Sequence, residues 1–480
     1  MDVSKIPGIK ICLYFVYTLL FVVTIQFPFF WDTIQLGSRH AHFFLSNNFS
    51  SIILPNEIDS GHIPFLGFYL GLFWKIFGKS LFVSHLAMLP FVIGIVHQSI
   101  RLTQRLFSTQ WQIMAAAVLL CDATLLAQCT LVSPDVLLVF FFLLALNSYF
   151  SGNRIWLSLS LSGLVLVSMR GMMCVAAIFT MEVLLYILDA KVYFSISTIK
   201  NIYKIFKSYI PCIIIVIGFM GWHYYKTGWI GYHKNMPWYP LFETVKGWGI
   251  VRNCFILVWR IMDFGRVFLW IAAIFCVFHY LKNKPTFTRE FKVLLILTGC
   301  LFVALSHAVI FHKNLSCHRY LLPIFLSFAL LVTYYVLEIW NSKNVKHIFL
   351  WIVLIGSLSG NFWVYPDKIA KGWDATLAYI PYFHLRSEMM DFMAKNNINI
   401  TETGSLFPNE GHLENIDLSG NFSGFHECDL AKDKYVFYSN IYNGFTDDQL
   451  IELKNHWTIV KELTSVQVKI ILYKSPVFNE

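Results

Sequence analysis

Apolar runs of about 17 to 25 residues recur along most of this 480-residue chain, separated by short polar stretches. A large soluble protein shows core strands and helices too short to cross a bilayer. A segment that does cross one must satisfy its backbone internally, as a helix or in a closed barrel. The runs therefore predict a polytopic α-helical membrane protein. Composition agrees: 57% of residues are hydrophobic and 14% charged, against roughly half and a quarter in an average soluble domain. Candidate spans fall near 10–30, 80–100, 109–129, 131–150, 155–169, 171–189, 208–225, 264–281, 292–312, 320–340 and 346–365, eleven in all. Lys5 and Lys10 precede a first run that continues to Trp31 with no small-residue cleavage site after it. It reads as a retained span, not a cleaved signal.

Placing the N-terminus inside assigns Arg101, Arg105, Arg154, Lys191, Lys204, Lys282 and Lys343 to short cytoplasmic loops, as the positive-inside rule prefers. Those loops, facing anionic lipid, largely account for the net charge of +9. No nucleic-acid partner is implied. An odd span count puts the C-terminus outside. Composition shifts near residue 365, so the chain divides into a transmembrane domain, 1–365, and a soluble domain, 366–480. In the latter YVFYSNIYN and SVQVKIILYKS read as strands and TDDQLIELKNHW as a capped helix, which predicts a small α/β domain. Ten cysteines are scattered, most of them inside spans. Cys254, Cys317 and Cys428 fall on the outer side, where an oxidising compartment could pair two of them. No Walker, HExxH, CxxC or GxGxxG pattern occurs in a suitable context.

Ionisable residues gather at outer helix ends. Asp32 closes the first span in FPFFWDTIQ, where partial desolvation would make a carboxylate tunable as a base. A helix-end charge that simply solvates is the plain alternative. Asp59 and His62 stand beside Pro64 in the long first loop, 31–79. Asp135 follows Ser133-Pro134 at the start of the fourth span, where a carboxylate also suits the helix dipole. Lys313, His318 and Arg319 cluster at a late span entry, with Tyr320 next to them. Arg170, Lys234, Arg252 and Arg260 are further outer cations. An outward Arg at a span entry runs against the positive-inside bias, and its planar fork suits a phosphate. Arg252 and Arg260, near Trp248 and Trp259, also fit interfacial anchoring. The loop near 226–262 adds Trp229, Tyr232, Trp238 and Tyr239, rings that suit either a sugar face or a lipid interface. Asp122, inside AVLLCDATLLAQ, is an intramembrane carboxylate, for which a structural and a functional role are equally open.

An Asp at the outer end of span one, the DSGHIP turn, the FGKS stretch, and Pro134-Asp135 opening span four together resemble the GT-C membrane glycosyltransferases. The likeness is to the branch holding the protein O-mannosyltransferases and the bacterial aminoarabinose transferases that modify lipid A. HRYLLPIFLSFALL resembles that branch's R-Y-x-x-P entry to a late span, and VSMRGMMCVA its basic-Gly step. The chain departs at Thr33, where many members have Glu, and at His85, where Arg is common.

The resemblance implies an inverting glycosyltransferase, a hexosyl- or pentosyltransferase, using a polyprenyl-phosphate sugar donor on the periplasmic face of a bacterial inner membrane. Its acceptor would be a lipid, a glycan or a protein. Such a reaction needs a base for the acceptor hydroxyl and cations for the departing phosphate. Asp32 is the candidate base. Asp59 and Asp135 could orient the acceptor, position Asp32 or help bind a divalent metal. His62, Arg170, Lys234, Arg252, Lys313, His318, Arg319 and Tyr320 are the candidate substrate-binding residues. A secondary transporter or flippase of lipid-linked sugars, and a non-catalytic scaffold in surface-glycan assembly, are the competing readings.

Overall fold

A computed structural model describes residues 7–190, 196–234, 236, 239–366 and 372–478. Lys5, Lys191 and Trp238 lie outside them. The chain forms a helical bundle capped at one end by a small α/β domain. Among the described residues, six helices are long and apolar enough to cross a membrane, or eight if each of two bent pairs is one span. The count of eleven is not reached on that measure, because the apolar helices Pro7–Thr24, Pro134–Phe150 and Arg154–Val167 are shorter. The stretch His318–Ile339 is the central span, 83% buried.

One expected span is broken rather than continuous, and the expected span near 264–281 is preceded by a helix, Trp248–Met262, where the sequence reads as an outer loop. The run near 109–129 folds as Gln112–Leu120 and Ala123–Cys129, bent by 72°, and Trp248–Met262 joins Val267–Asn283 at 93°. Each break has a chemical cause. Asp122 caps the second helix of its pair, accepting from the amides of Thr124 and Leu125, so the chain stops and restarts at Asp122. At the other break Phe264 and Gly265 take positive φ, and a Cβ on Gly265 would stand 2.0 Å from the Gly356 carbonyl oxygen. The two breaks are tied together. Arg266 donates to both oxygens of Asp122 at 2.8 and 2.9 Å and to the Thr124 hydroxyl at 2.5 Å, with its guanidinium over the Phe325 ring. Asp122 therefore serves the fold.

The long first loop is itself helical: a π-helical turn Thr33–Arg39, then His40–Ser46 and Phe65–Phe77. The last is apolar but, at 13 residues, too short to span. The C-terminal sheet contains β1 (Thr403–Ser405), β2 (Gly411–His412), β3 (Gly424–Glu427), β4 (Tyr435–Ser439), β5 (Thr458–Ser465) and β6 (Val468–Lys474). Their order is β2-β3-β1-β4-β6-β5, with β1 parallel to both neighbours. The capped helix is Asp447–His456, where Thr446 and Gln449 make a full capping box. All ten cysteines are free.

Aromatic packing seats this domain on the bundle. Phe30 stacks on Tyr379 at 5.0 Å, Trp31 meets Phe407 edge-on, and the Phe29 amide bonds the Ile416 carbonyl at 2.8 Å. Buried Glu414 joins the first loop by pairing with Lys79 and with His42, the latter at 3.0 Å. The apolar residues before Asp32 thus pack against the C-terminal part of the chain.

Candidate active site

Five segments converge under that domain, and each presents its side chain from the start of a helix or turn. Asp32 precedes the π-helical turn. The neighbouring Thr33 is buried, and its hydroxyl donates to the Val132 carbonyl at 2.7 Å, fastening the Asp32 segment to the one that carries Ser133. Ser133 caps Pro134–Phe150, accepting from the Asp135 amide. Its own hydroxyl donates to the Gln128 side-chain oxygen at 2.5 Å. Arg170 opens the helix Met169–Ala190, and Arg319 and Tyr320 lie in a short 3-10 turn, His318–Leu321. The fifth segment is Trp373–Ala375, from the C-terminal side of the chain, bearing Asp374.

Arg319, 5% exposed, is the hub. Its Nη2 is 2.9 Å from Oδ2 of Asp32, its Nε 3.6 Å from Oδ2 of Asp135, and its Nη1 pairs with Asp374. Arg170 pairs with Oδ1 of Asp135. Tyr320 takes the guanidinium of Arg170 at 4.5 Å and that of Arg319 at 5.1 Å from its ring. Three carboxylates thus gather around two guanidinia, and removing any one of them would leave a partly buried charge short of a partner.

A cavity of about 350 Å³ opens beside this cluster. Asp32, Gln35, Ser60, His62, Arg170 and Tyr320 supply polar lining, with His307 and His312 across from them. Leu36, Met169, Met173, Phe242 and Leu305 make the rest apolar. The size and the mixture suit a ligand with a charged head and an apolar tail, since ligand pockets run from roughly 300 to 1,000 Å³. Desolvation holds the His62 imidazole below its ordinary range against the Ser60 carbonyl, and nearby Arg170 reinforces this. Ser60 has a buried hydroxyl without a hydrogen-bond partner.

Asp32, His62, Arg170 and Tyr320 are brought together on the cavity, with Asp135 directly behind them. Arg319 differs from expectation. It does not line the cavity, and Asp32, Asp135 and Asp374 stand around its guanidinium. Asp59 is also placed elsewhere. It is 2% exposed, bonds Nε2 of His223 at 2.9 Å and accepts from the Gly61 amide at 2.8 Å. This holds the first loop where Gly61 touches Gly231, a contact that leaves no room for a Cβ. His318 is buried against Asp263 at 2.8 Å, and Tyr365 also bonds that carboxylate.

The remaining cations sit apart from the cavity lining. Lys313 makes an exposed pair with Glu243, and Arg252 bonds Asn253 and the Lys313 carbonyl. Lys234 is exposed, and Arg260 lies over Trp259 while donating to the Ser316 carbonyl. Among the described residues no group of three or more His, Cys, Asp or Glu side chains is arranged to hold a metal ion. The metal role considered for Asp59 and Asp135 has no ligand set here.

Asp374, Gln35, Ser60, His307 and His312 were not singled out from the sequence. Asp374 had one visible signal: Trp373-Asp374 repeats the Trp-Asp pair of residues 31 and 32.

No protein-family model matches the chain, and no curated protein matches it in sequence. Two solved structures of ArnT from Cupriavidus metallidurans share its fold. The one bound to undecaprenyl phosphate has a TM-score of 0.55 at 10% identity, with 98% of each chain covered. The apo state has a TM-score of 0.53 at 9% identity, covering 96% of this chain and 97% of that one. The resemblance to the aminoarabinose-transferase branch of the GT-C proteins thus holds for the fold, over nearly the full length.

Proposed function

We propose that this chain is a GT-C-type membrane glycosyltransferase that moves a sugar, with inversion, from a polyprenyl-phosphate carrier to a hydroxyl of a lipid, glycan or protein acceptor. The observation that carries this reading is the cavity in which Asp32 and Arg170 face the same amphipathic space beside Tyr320. The ArnT structure of the same fold, bound to undecaprenyl phosphate, supports a donor of that class.

In this reading the donor phosphate is met by Arg170, whose guanidinium already rests on Tyr320. Asp32 accepts the proton of the acceptor hydroxyl as its oxygen attacks the anomeric carbon from the face opposite the phosphate. The anomeric C–O bond to phosphate breaks, and the electron pair leaves on the polyprenyl phosphate. Arg319 keeps Asp32 in place through its 2.9 Å contact. The reaction is assigned to the outer, periplasmic face of a bacterial inner membrane, with the N-terminus cytoplasmic. Reporters at residue 130 and in the C-terminal domain test that orientation, and a cytoplasmic signal from either would reverse it.

The chemistry is tested with undecaprenyl-phosphate glucose, mannose, galactose and arabinose, each labelled in the sugar and supplied to membranes containing the protein. Replacing Asp32→Asn is expected to lower transfer by about 10²- to 10⁴-fold, the usual contribution of a positioned base. Full activity in a correctly folded D32N protein would remove the proposed mechanism.

A further inference from the structure

We infer that Asp374, supplied from the C-terminal side of the chain, is a positioning residue that sets the orientation and basicity of Asp32 through Arg319. This rests on the reading of Asp32 as the base. The geometry is a relay: Asp374 pairs with Nη1 of Arg319, whose Nη2 holds Asp32 at 2.9 Å. A guanidinium drawn towards three carboxylates gives each of them less of its charge than it would give two. Without the carboxylate at 374, Arg319 turns more fully onto Asp32 and weakens it as a proton acceptor.

Asp374 is held from both sides. Its backbone carbonyl accepts the Gln128 amide at 2.7 Å, and Gln128 is bonded by Ser133, the cap of the helix that carries Asp135. The preceding Trp373, 3% exposed, donates its indole N–H at 3.0 Å to the carbonyl of Asn440, the residue after β4. The C-terminal sheet and the helical bundle therefore both fix where this charge sits. Among the described residues, the other titratable and charged groups around Asp32 and Arg319 are His62, Asp135, Arg170, Cys317 and Tyr320. Of these, Asp135 shares Arg319 from behind and Arg170 is tied to Asp135. Among the described residues, only Asp374 reaches Arg319 from the C-terminal segment.

The test uses the full-length protein in membranes with the same four labelled donors, and reads the pH profile of kcat alongside KM for the donor. Asp374→Asn is expected to lower kcat about two- to threefold, to leave KM within about twofold, and to move the acid limb of kcat to lower pH by about half a unit. Asp374→Glu, which keeps the charge, is expected to return the acid limb to its original place. If D374N does not accumulate as folded protein, Trp373→Phe, which removes the indole bond to Asn440 and loosens the packing that seats Asp374 while keeping its charge, is read instead and should shift the limb the same way. An unchanged profile in the folded variant, with Asp32→Asn inactive, overturns the role of Asp374 and leaves the base assignment standing. An active Asp32→Asn overturns the base assignment itself.

Discussion

Replacing Arg266→Met should destabilise the bundle by about 3 kcal/mol, because it opens the ion pair that joins the two helix breaks. Arg266 is 4% exposed at its side chain and Asp122 12%. Removing one partner of a buried pair typically costs about 3 to 5 kcal/mol, since the other charge is stranded. The lower end applies for two reasons. Asp122 keeps the amides of Thr124 and Leu125, and the methionine chain refills part of the space over Phe325. Asp122→Asn should cost about 2 kcal/mol, as the neutral side chain still caps its helix while Arg266 retains the Thr124 hydroxyl and the Asp263 carbonyl. With both changes together the stranded charge disappears, so the double variant should lose about 2 kcal/mol less than the sum of the two. Equilibrium unfolding in mixed micelles measures all three. Strictly additive costs, or a cost below about 1 kcal/mol for Arg266→Met, would refute the idea that this pair joins the breaks.

Three other outcomes follow from particular contacts. A Cβ on Gly67 would stand 2.1 Å from that of His40, so Gly67→Ala should part His40–Ser46 from Phe65–Phe77. Faster proteolysis of the 40–80 region would report it, and an unchanged digest would argue against that packing. Arg386 is buried, forks onto Asp417 at 2.8 and 3.0 Å and bonds Asn409, so Arg386→Met should destabilise the C-terminal domain by about 2 to 3 kcal/mol in thermal unfolding. Burial raises the Glu414 carboxyl, but bonds from Lys79, His42 and the Gly420 amide outweigh it and hold the group below its ordinary 4.5. Its stabilisation is therefore complete above about pH 4.5 and lost as pH falls through the lower, folded value. Protection of the amides around 411–420 against exchange, relative to the unfolded chain at the same pH, should fall in that acid range, whereas Glu414→Gln should already be weakly protected at pH 7.

Periodic features were legible in the sequence, and contacts between distant segments were not. The apolar runs marked the helices, and the Thr446 to Gln449 box marked a helix start, because both signals lie within a few turns of chain. Asp32 and Asp135 are conspicuous for the same reason, as polar side chains beside an apolar run, whereas Arg170 and Tyr320 stand in stretches that resemble family motifs. Asp59 and His318 looked equally free in one dimension. Each is matched by a residue far along the chain, His223 and Asp263, and the pairing turns a candidate ligand into a fastening. Thr33, read as a departure from a family pattern, is a buried tie to Val132. The helix break at Asp122 was hidden by its apolar surroundings, although Asp122-Ala123-Thr124 carries the local chemistry of a cap.

The seating of the C-terminal domain sets an order of assembly. His42 and Glu414 are 372 residues apart, and at roughly 5 to 20 residues per second a ribosome needs on the order of half a minute to link them. Through that interval the early spans can insert and pack, but Arg319 waits for its third carboxylate and Phe30 for Tyr379. The cluster around the candidate base is therefore finished late, from the far end of the chain. In the proposed reading, a half-made chain in the membrane has an incomplete reaction centre.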